Sequence, residues 1–205
     1  NQFAGTLDAR TLIRYTGYPQ AVTVRDTTGA QRPDSSITFV GGRLVAFFDT
    51  LASTNTGPVT LGLGRLQQEW DPTTASWTAA IDTINDLRTW TEAGAGPVAV
   101  VDTAVWDPAM GDSVVFVLDS ADVAAWADTL DLSRGARIES FDAGPRLQIR
   151  QSRLRLDVRP SSNPDTIAEL SVNPRSTTFI YAPFPDPPPD GVRSGGAPSG
   201  RASLD

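Results

Sequence analysis

No cysteine, histidine or lysine occurs in this chain of 205 residues; all 17 of its basic residues are arginine. The absence of thiolate and imidazole excludes the common nucleophile and general base, and with them the soft ligands for zinc, copper or haem. The absence of lysine excludes Schiff-base chemistry. What survives is a carboxylate pair, an arginine-based site or a hard cation held by oxygen. A glycosidase pair needs two carboxylates at a fixed separation in a cleft, and nothing singles out such a pair. No catalytic residue is therefore assigned, and the protein is expected not to be an enzyme. Basic charge is also short overall, and a net charge of −7 disfavours a nucleic-acid partner. No apolar run approaches the ~20 residues of a membrane-spanning helix. The first residue is Asn1 rather than Met, consistent with a removed secretory signal, so an extracellular or cell-surface location is expected.

What is present reads as a β protein. Hydrophobic residues make up 40% and charged residues 20%, which is too apolar for a disordered chain and long enough for a sizeable core. Turn signals recur about every 8–12 residues, the spacing of a sandwich or barrel. Candidate strands lie at 11–15, 21–26, 36–40, 43–48, 59–67, 75–78, 97–102, 113–118, 136–141, 146–150, 153–158, 168–172 and 177–182. The continuous apolar run Val114–Val117 predicts a strand buried on both faces or at the centre of a sheet. Gly62 and Gly64, between Leu61, Leu63 and Leu66, predict a crowded face that a ring or backbone approaches closely. Val123, Trp126, Ala127 and Leu130 share one face of a helix with Ser120 as its N-cap, and 81–87, with a weaker threefold spacing, reads as a short turn of helix or an irregular loop. Both segments are expected to cap the sandwich.

Trp70 and Trp77 flank an Asp71-Pro72-Thr73 turn, where the carboxylate can bond the backbone two residues on. They are either core anchors or, with Trp90 and Trp106, a sugar-stacking platform for an extracellular polysaccharide. Seven aspartates, Asp102, Asp107, Asp112, Asp119, Asp122, Asp128 and Asp131, lie close in sequence and would suit calcium, although no EF-hand-like loop is visible. No other cofactor is indicated. Arg146, Arg150, Arg153, Arg155 and Arg159 form the one basic run, and its alternation places arginines on an exposed strand face that a neighbouring copy's acidic surface could meet. After Tyr181 the chain turns proline-rich, then Gly/Ser-rich, an extended tail over 183–205. An internal echo relates Thr11–Pro19 to Thr177–Pro185, in which Thr, Tyr and aromatic-Pro recur in order.

These pieces, in this order, resemble the DNRLRE-domain family of secreted and cell-surface bacterial and archaeal proteins. The motifs are Gly-Gly-Arg43 leading to Asp49, the strand Val59–Leu66, the element Trp70–Thr78, and Gly135–Ser140 with Pro145–Ile149. Ile138 separates Arg137 from Glu139, which are normally adjacent in that family, and the acidic-Asn-Arg string is absent. The resemblance implies a jelly-roll-like β-sandwich with structural or adhesive roles and supplies no catalytic residues. The expected fold is all-β, a jelly-roll-like sandwich over 1–160 with one or two capping helices, additional strands over 161–182 and the extended tail. Arg43, Asp49, Arg137 and Glu139 are expected to form a structural charge cluster at the sandwich rim. The expected function is self-assembly into an extracellular filament or surface layer. Thr177, Thr178, Phe179, Ile180 and Tyr181 would serve as an assembly strand completing the sheet of the next copy, head to tail. The alternatives are a carbohydrate-binding or adhesive module of a larger secreted protein, or the start of a second repeat from Thr177 onward.

Overall fold

The structure, a computed structural model, describes residues 8–25, 28–127 and 135–182. Thirteen strands and one helix follow in chain order. They are β1 (Ala9–Tyr15), β2 (Val22–Arg25), β3 (Gln31–Asp34), β4 (Ile37–Phe48), β5 (Val59–Leu66), β6 (Ala79–Thr83), β7 (Asp86–Thr89), β8 (Val98–Trp106), β9 (Ser113–Leu118), α1 (Ser120–Ala127), β10 (Gly135–Ser140), β11 (Ile149–Pro160), β12 (Ala168–Val172) and β13 (Pro174–Tyr181). A five-stranded sheet runs β13-β1-β10-β5-β8 and a four-stranded sheet runs β12-β11-β4-β9. The antiparallel pairs β1/β10, β4/β9, β5/β8 and β6/β7 nest inside one another along the sequence. That nesting is a long double ribbon rolled up on itself, the connectivity of a jelly roll. The three C-terminal strands then extend the sheets: β11 beside β4, β12 beside β11, and β13 beside β1. All three are integral strands of the two sheets.

Strand alternation fills the interior. Leu44, Ala46 and Phe48 of β4, Val114, Phe116 and Leu118 of β9, and Leu154, Leu156 and Val158 of β11 point inward to Ile13, Tyr15, Leu61, Leu63, Ala136 and Ile138. Phe48 stacks on Trp106 with centroids 4.2 Å apart. The Tyr15 hydroxyl donates to Ser152 Oγ at 3.0 Å across the two sheets, and burial pushes the phenol's pKa well above its ordinary value. Helix α1 closes the core end with Val123 and Trp126; its N-cap is Asp119, whose carboxylate accepts from Asp122 N, rather than Ser120.

Several sequence expectations are corrected. Val114–Val117 lies on the outermost strand of its sheet rather than at the centre, and it is buried on one face only because the outer face of that sheet is uncovered among the described residues, which leaves Val115 and Val117 exposed. Residues 81–87 form the β6/β7 hairpin, since Ile84 and Leu87, two members of the apparent helical stripe, are exposed. Residues 75–78 are irregular, and the tail over 183–205 and Leu130 lie outside the described residues. The two echoed segments are neighbours rather than equivalents: Thr11 faces Phe179, Leu12 faces Thr178 and Ile13 faces Thr177. No described helix is long and apolar enough to cross a membrane.

The glycine expectation is met. A Cβ on Gly62 would meet the Phe141 ring at 2.5 Å, and one on Gly64 would meet Val98 side-chain atoms at 2.7 Å. Gly42 is tighter in kind, because its Cβ would strike the backbone carbonyl oxygen of Arg155 at 2.6 Å. Phe141 is exposed and can swing aside, whereas a paired strand cannot. Gly42→Ala should therefore cost about 1–3 kcal/mol and Gly62→Ala clearly less, measured by chemical denaturation; equal losses would contradict this packing.

Candidate functional site

Residues 67–97 leave the ribbon between β5 and β8 and fold back over the outer face of the five-stranded sheet. A second core lies beneath them: Leu12, Leu66 and Ile180 from the sheet, with Trp70, Ala80, Trp90 and Ala95 from the excursion. The Asp71 carboxylate accepts from Thr73 Oγ1 at 2.5 Å and from Thr73 N at 2.7 Å, the latter being the turn predicted from sequence, and these bonds hold its pKa below the ordinary carboxylate range. Trp90 Nε1 donates to Ser76 O, which fixes the irregular 75–78 segment.

Arginines fasten this layer. Arg137, side chain 9% exposed, donates to Gly94 O at 3.2 Å, Ala95 O at 3.1 Å and Glu139 Oε1 at 2.5 Å. Arg10 donates to the same Gly94 carbonyl at 2.6 Å and lies over the Trp77 ring at 4.9 Å. Its Nε is 3.3 Å from Glu139 Oε2 at an angle that makes an ion pair and not a hydrogen bond. Gly94 and Ala95 have φ of 81° and 64°, a left-handed pair held by these donors. A side chain at Gly94 would collide with Arg10 and Trp77.

This geometry resolves the predicted sites one by one. Trp70, Trp90 and Trp106 are buried, at 1%, 5% and 1% exposure, so they are core anchors and not a sugar platform. Trp77 is half-buried with Arg10 over its ring. The charge cluster does not form as one unit. Arg137 and Glu139 pin the excursion on one sheet; Arg43 sits on the other, bonded to Glu169 at 2.5 Å; Asp49 caps its own turn by accepting from Leu51 N and Ala52 N. The arginine and its expected partners occupy different layers, which sequence order does not reveal. No three carboxylates converge among the described residues, and Asp128 and Asp131 lie outside them. An open groove of about 680 Å³ runs between the β2/β3 hairpin and the β11–β12 turn, lined by Arg25, Arg32, Pro33, Ser36, Ser162 and Asn163. Asp34 fastens it, accepting from Ser162 Oγ at 2.6 Å, Ser162 N at 2.8 Å and Ser36 N at 2.8 Å.

The assembly strand is placed differently from its expectation. Thr177–Tyr181 pairs with β1 of its own chain, Ile180 is buried under the excursion, and Thr178 Oγ1 donates to Pro72 O at 2.8 Å. Only Asn173 separates β13 from β12 in the opposite sheet. Within the chain β13 is the edge strand of the five-stranded sheet. Ala182 N donates to Asp8 O, so by alternation the backbone groups of Thr177, Phe179 and Tyr181 point away from β1. The opposite side of the sandwich is sealed: β8 and β9 converge there, and Asp102 Oδ2 accepts from Val117 N at 2.7 Å. No family model matches the chain, and neither the curated proteins nor the solved structures contain a significant match to it.

Replacing Arg137 by Met leaves the Ala95 carbonyl without its side-chain donor, the Gly94 carbonyl with Arg10 alone and the half-buried Glu139 without its closest cation, and should cost about 3 kcal/mol. Limited proteolysis should then cut within 67–97 while the sandwich persists; an unchanged cleavage pattern would contradict the pinning role. For Asp34 the serine hydrogen bonds lower the folded-state pKa below the ordinary 3.8. The stability it contributes is present above that ordinary value and lost as pH falls through the lowered one. Asp34→Asn should melt below wild type at neutral pH, with the difference shrinking as the pH is taken below the carboxylate range.

Proposed function

We propose that the protein is a non-catalytic extracellular structural protein that associates with copies of itself, and that the β13 edge is where sheets of two copies join. One observation carries this reading. Proteins normally blunt a sheet edge with charge, proline or a covering segment; β13 carries Pro174 and Arg175 at its start, but from Thr177 to Tyr181 it has none of these among the described residues. Phe179 and Tyr181 are instead 43% and 52% exposed beside the outward-facing backbone groups. An antiparallel β13–β13 contact satisfies those groups and covers both aromatics by a two-fold, self-complementary pairing. The predicted assembly strand keeps its residues and changes its part, from donor to joining edge. The resemblance to a secreted family supports the extracellular setting.

The chain's lack of cysteine gives a direct test. Phe179→Cys should form an interchain disulfide on mild oxidation and run as a covalent dimer, while a cysteine at exposed Thr103 should not. Phe179→Lys should lower the dimer fraction in sedimentation equilibrium without changing the melting temperature. Because each copy carries −7, added salt should strengthen this contact. Equal cross-linking at both positions, or a monomeric wild type at millimolar concentration, would overturn the reading.

A further inference from the structure

The outer face of the four-stranded sheet is uncovered among the described residues, and its cross-strand rows are unusual. Arg155 lies opposite Arg43, which lies opposite Val117; Arg153 lies opposite Val45, which lies opposite Val115. Directly opposed residues share a face, so an apolar patch of Val45, Phe47, Val115 and Val117 is bordered by arginines. Val115 and Val117 are 46% and 64% exposed. Glu169 and Asp157 engage Arg43, and Glu169 also engages Arg155. Arg153 and Arg159 have no ion-pair partner among the described residues. The face is net positive on a chain that is strongly acidic.

On the opposite side of the molecule the excursion has the complementary character. Residues 67–97 carry Glu69, Asp71, Asp82, Asp86 and Glu92 against one cation, Arg88. Arg88 is held by Asp86 and Glu69, which raise its pKa further, and Asp82 at the end of β6 is exposed without an ion-pair partner among the described residues. At the tip of the β6/β7 hairpin Ile84 is fully exposed and Leu87 is 69% exposed. An apolar knob ringed by carboxylates thus projects from one side of the protein, and an apolar patch bordered by arginines lies on the other.

We propose that the acidic β6/β7 tip of one copy docks on the arginine-bordered outer face of the four-stranded sheet of the next. The two surfaces lie on opposite sides of one molecule, so neither can satisfy the other within a chain. A contact between unlike surfaces does not close on itself unless the rotation forms a ring, and repetition gives an open head-to-tail row. The occupant is a second copy because this chain presents both halves of the complementarity, in charge and in apolar area. This deepens the self-association reading and rests on it, but uses a surface distinct from the β13 edge.

The test uses the full chain carrying Phe179→Lys, so that the edge does not contribute. A tip variant combines Asp82→Arg with Ile84→Asp, and a face variant combines Arg153→Glu with Val117→Asp. All four positions are exposed or half-buried, and near-ultraviolet circular dichroism checks that each variant folds. In sedimentation velocity the parent should form a series of species above 21.8 kDa, and each variant alone should be monomeric. An equimolar mixture should stop at dimers, because it holds one intact tip and one intact face per pair. Raising salt from about 0.01 M to about 1 M, which shortens the Debye length from roughly 30 Å to roughly 3 Å, should weaken the series, opposite to its effect on the edge. Variants that associate like the parent, or a mixture that stays monomeric, would overturn the tip-on-face contact. The edge reading is judged separately by the Phe179 cross-link.

Discussion

The three central strands of the five-stranded sheet, β1, β10 and β5, are buried on both faces, and most of the architecture follows from that constraint. A sheet covered on one side can alternate apolar and polar residues, whereas a sheet covered on both must place something apolar or fully paired at every central position. In β1 this gives Leu12 on the outer side and Ile13 and Tyr15 on the inner. In β10 the outer side carries Arg137, a cation whose burial is tolerable because two carbonyls and a carboxylate converge on it. The tryptophan-rich excursion exists to cover this second face, since without it Leu12, Leu66 and Ile180 would be exposed together. Arg10, Arg137 and Glu139 set where the cover sits.

The other sheet is the counterpart. It buries one face and leaves the other to solvent, and that asymmetry is what distinguishes the two broad surfaces of the protein. Acidic groups collect on the excursion, arginines on the bare sheet, and the Thr177–Tyr181 edge lies at the side. The proposed contacts use these three features without any cavity or bound group, in keeping with a role carried by surfaces.

Much of this was legible in the sequence, and the failures have physical causes. The all-β class, the Asp71 turn, the crowded glycines and the outward arginines of β11 follow from local rules of turn chemistry and alternation. What local rules miss is the number of covered faces. Val114–Val117 reads as doubly buried because β-branched residues serve an edge strand's solvent face as well as a central strand's interior. Ile81, Ile84 and Leu87 read as a helical stripe because periodicity cannot tell a core residue from an exposed one on a hairpin tip. Arg43 and Arg137 looked like members of one cluster because a rolled ribbon sends successive strands to alternate sheets. The nearness of Thr11 and Phe179, far apart in sequence, is set by long-range pairing that single-sequence reasoning does not reach.

The hydrogen bond from Ala182 N to Asp8 O has a mechanical meaning. It places the two ends of the described chain side by side at one end of the β1/β13 pair. Tension applied between those ends would peel the pair like a zipper, one bond at a time, rather than shear all of its bonds at once. Such geometry yields at low force, so a fibre strung end to end through the backbone would be weak at every subunit. Strength in an array of these molecules has to come from sideways contacts, where pulling loads many interactions together.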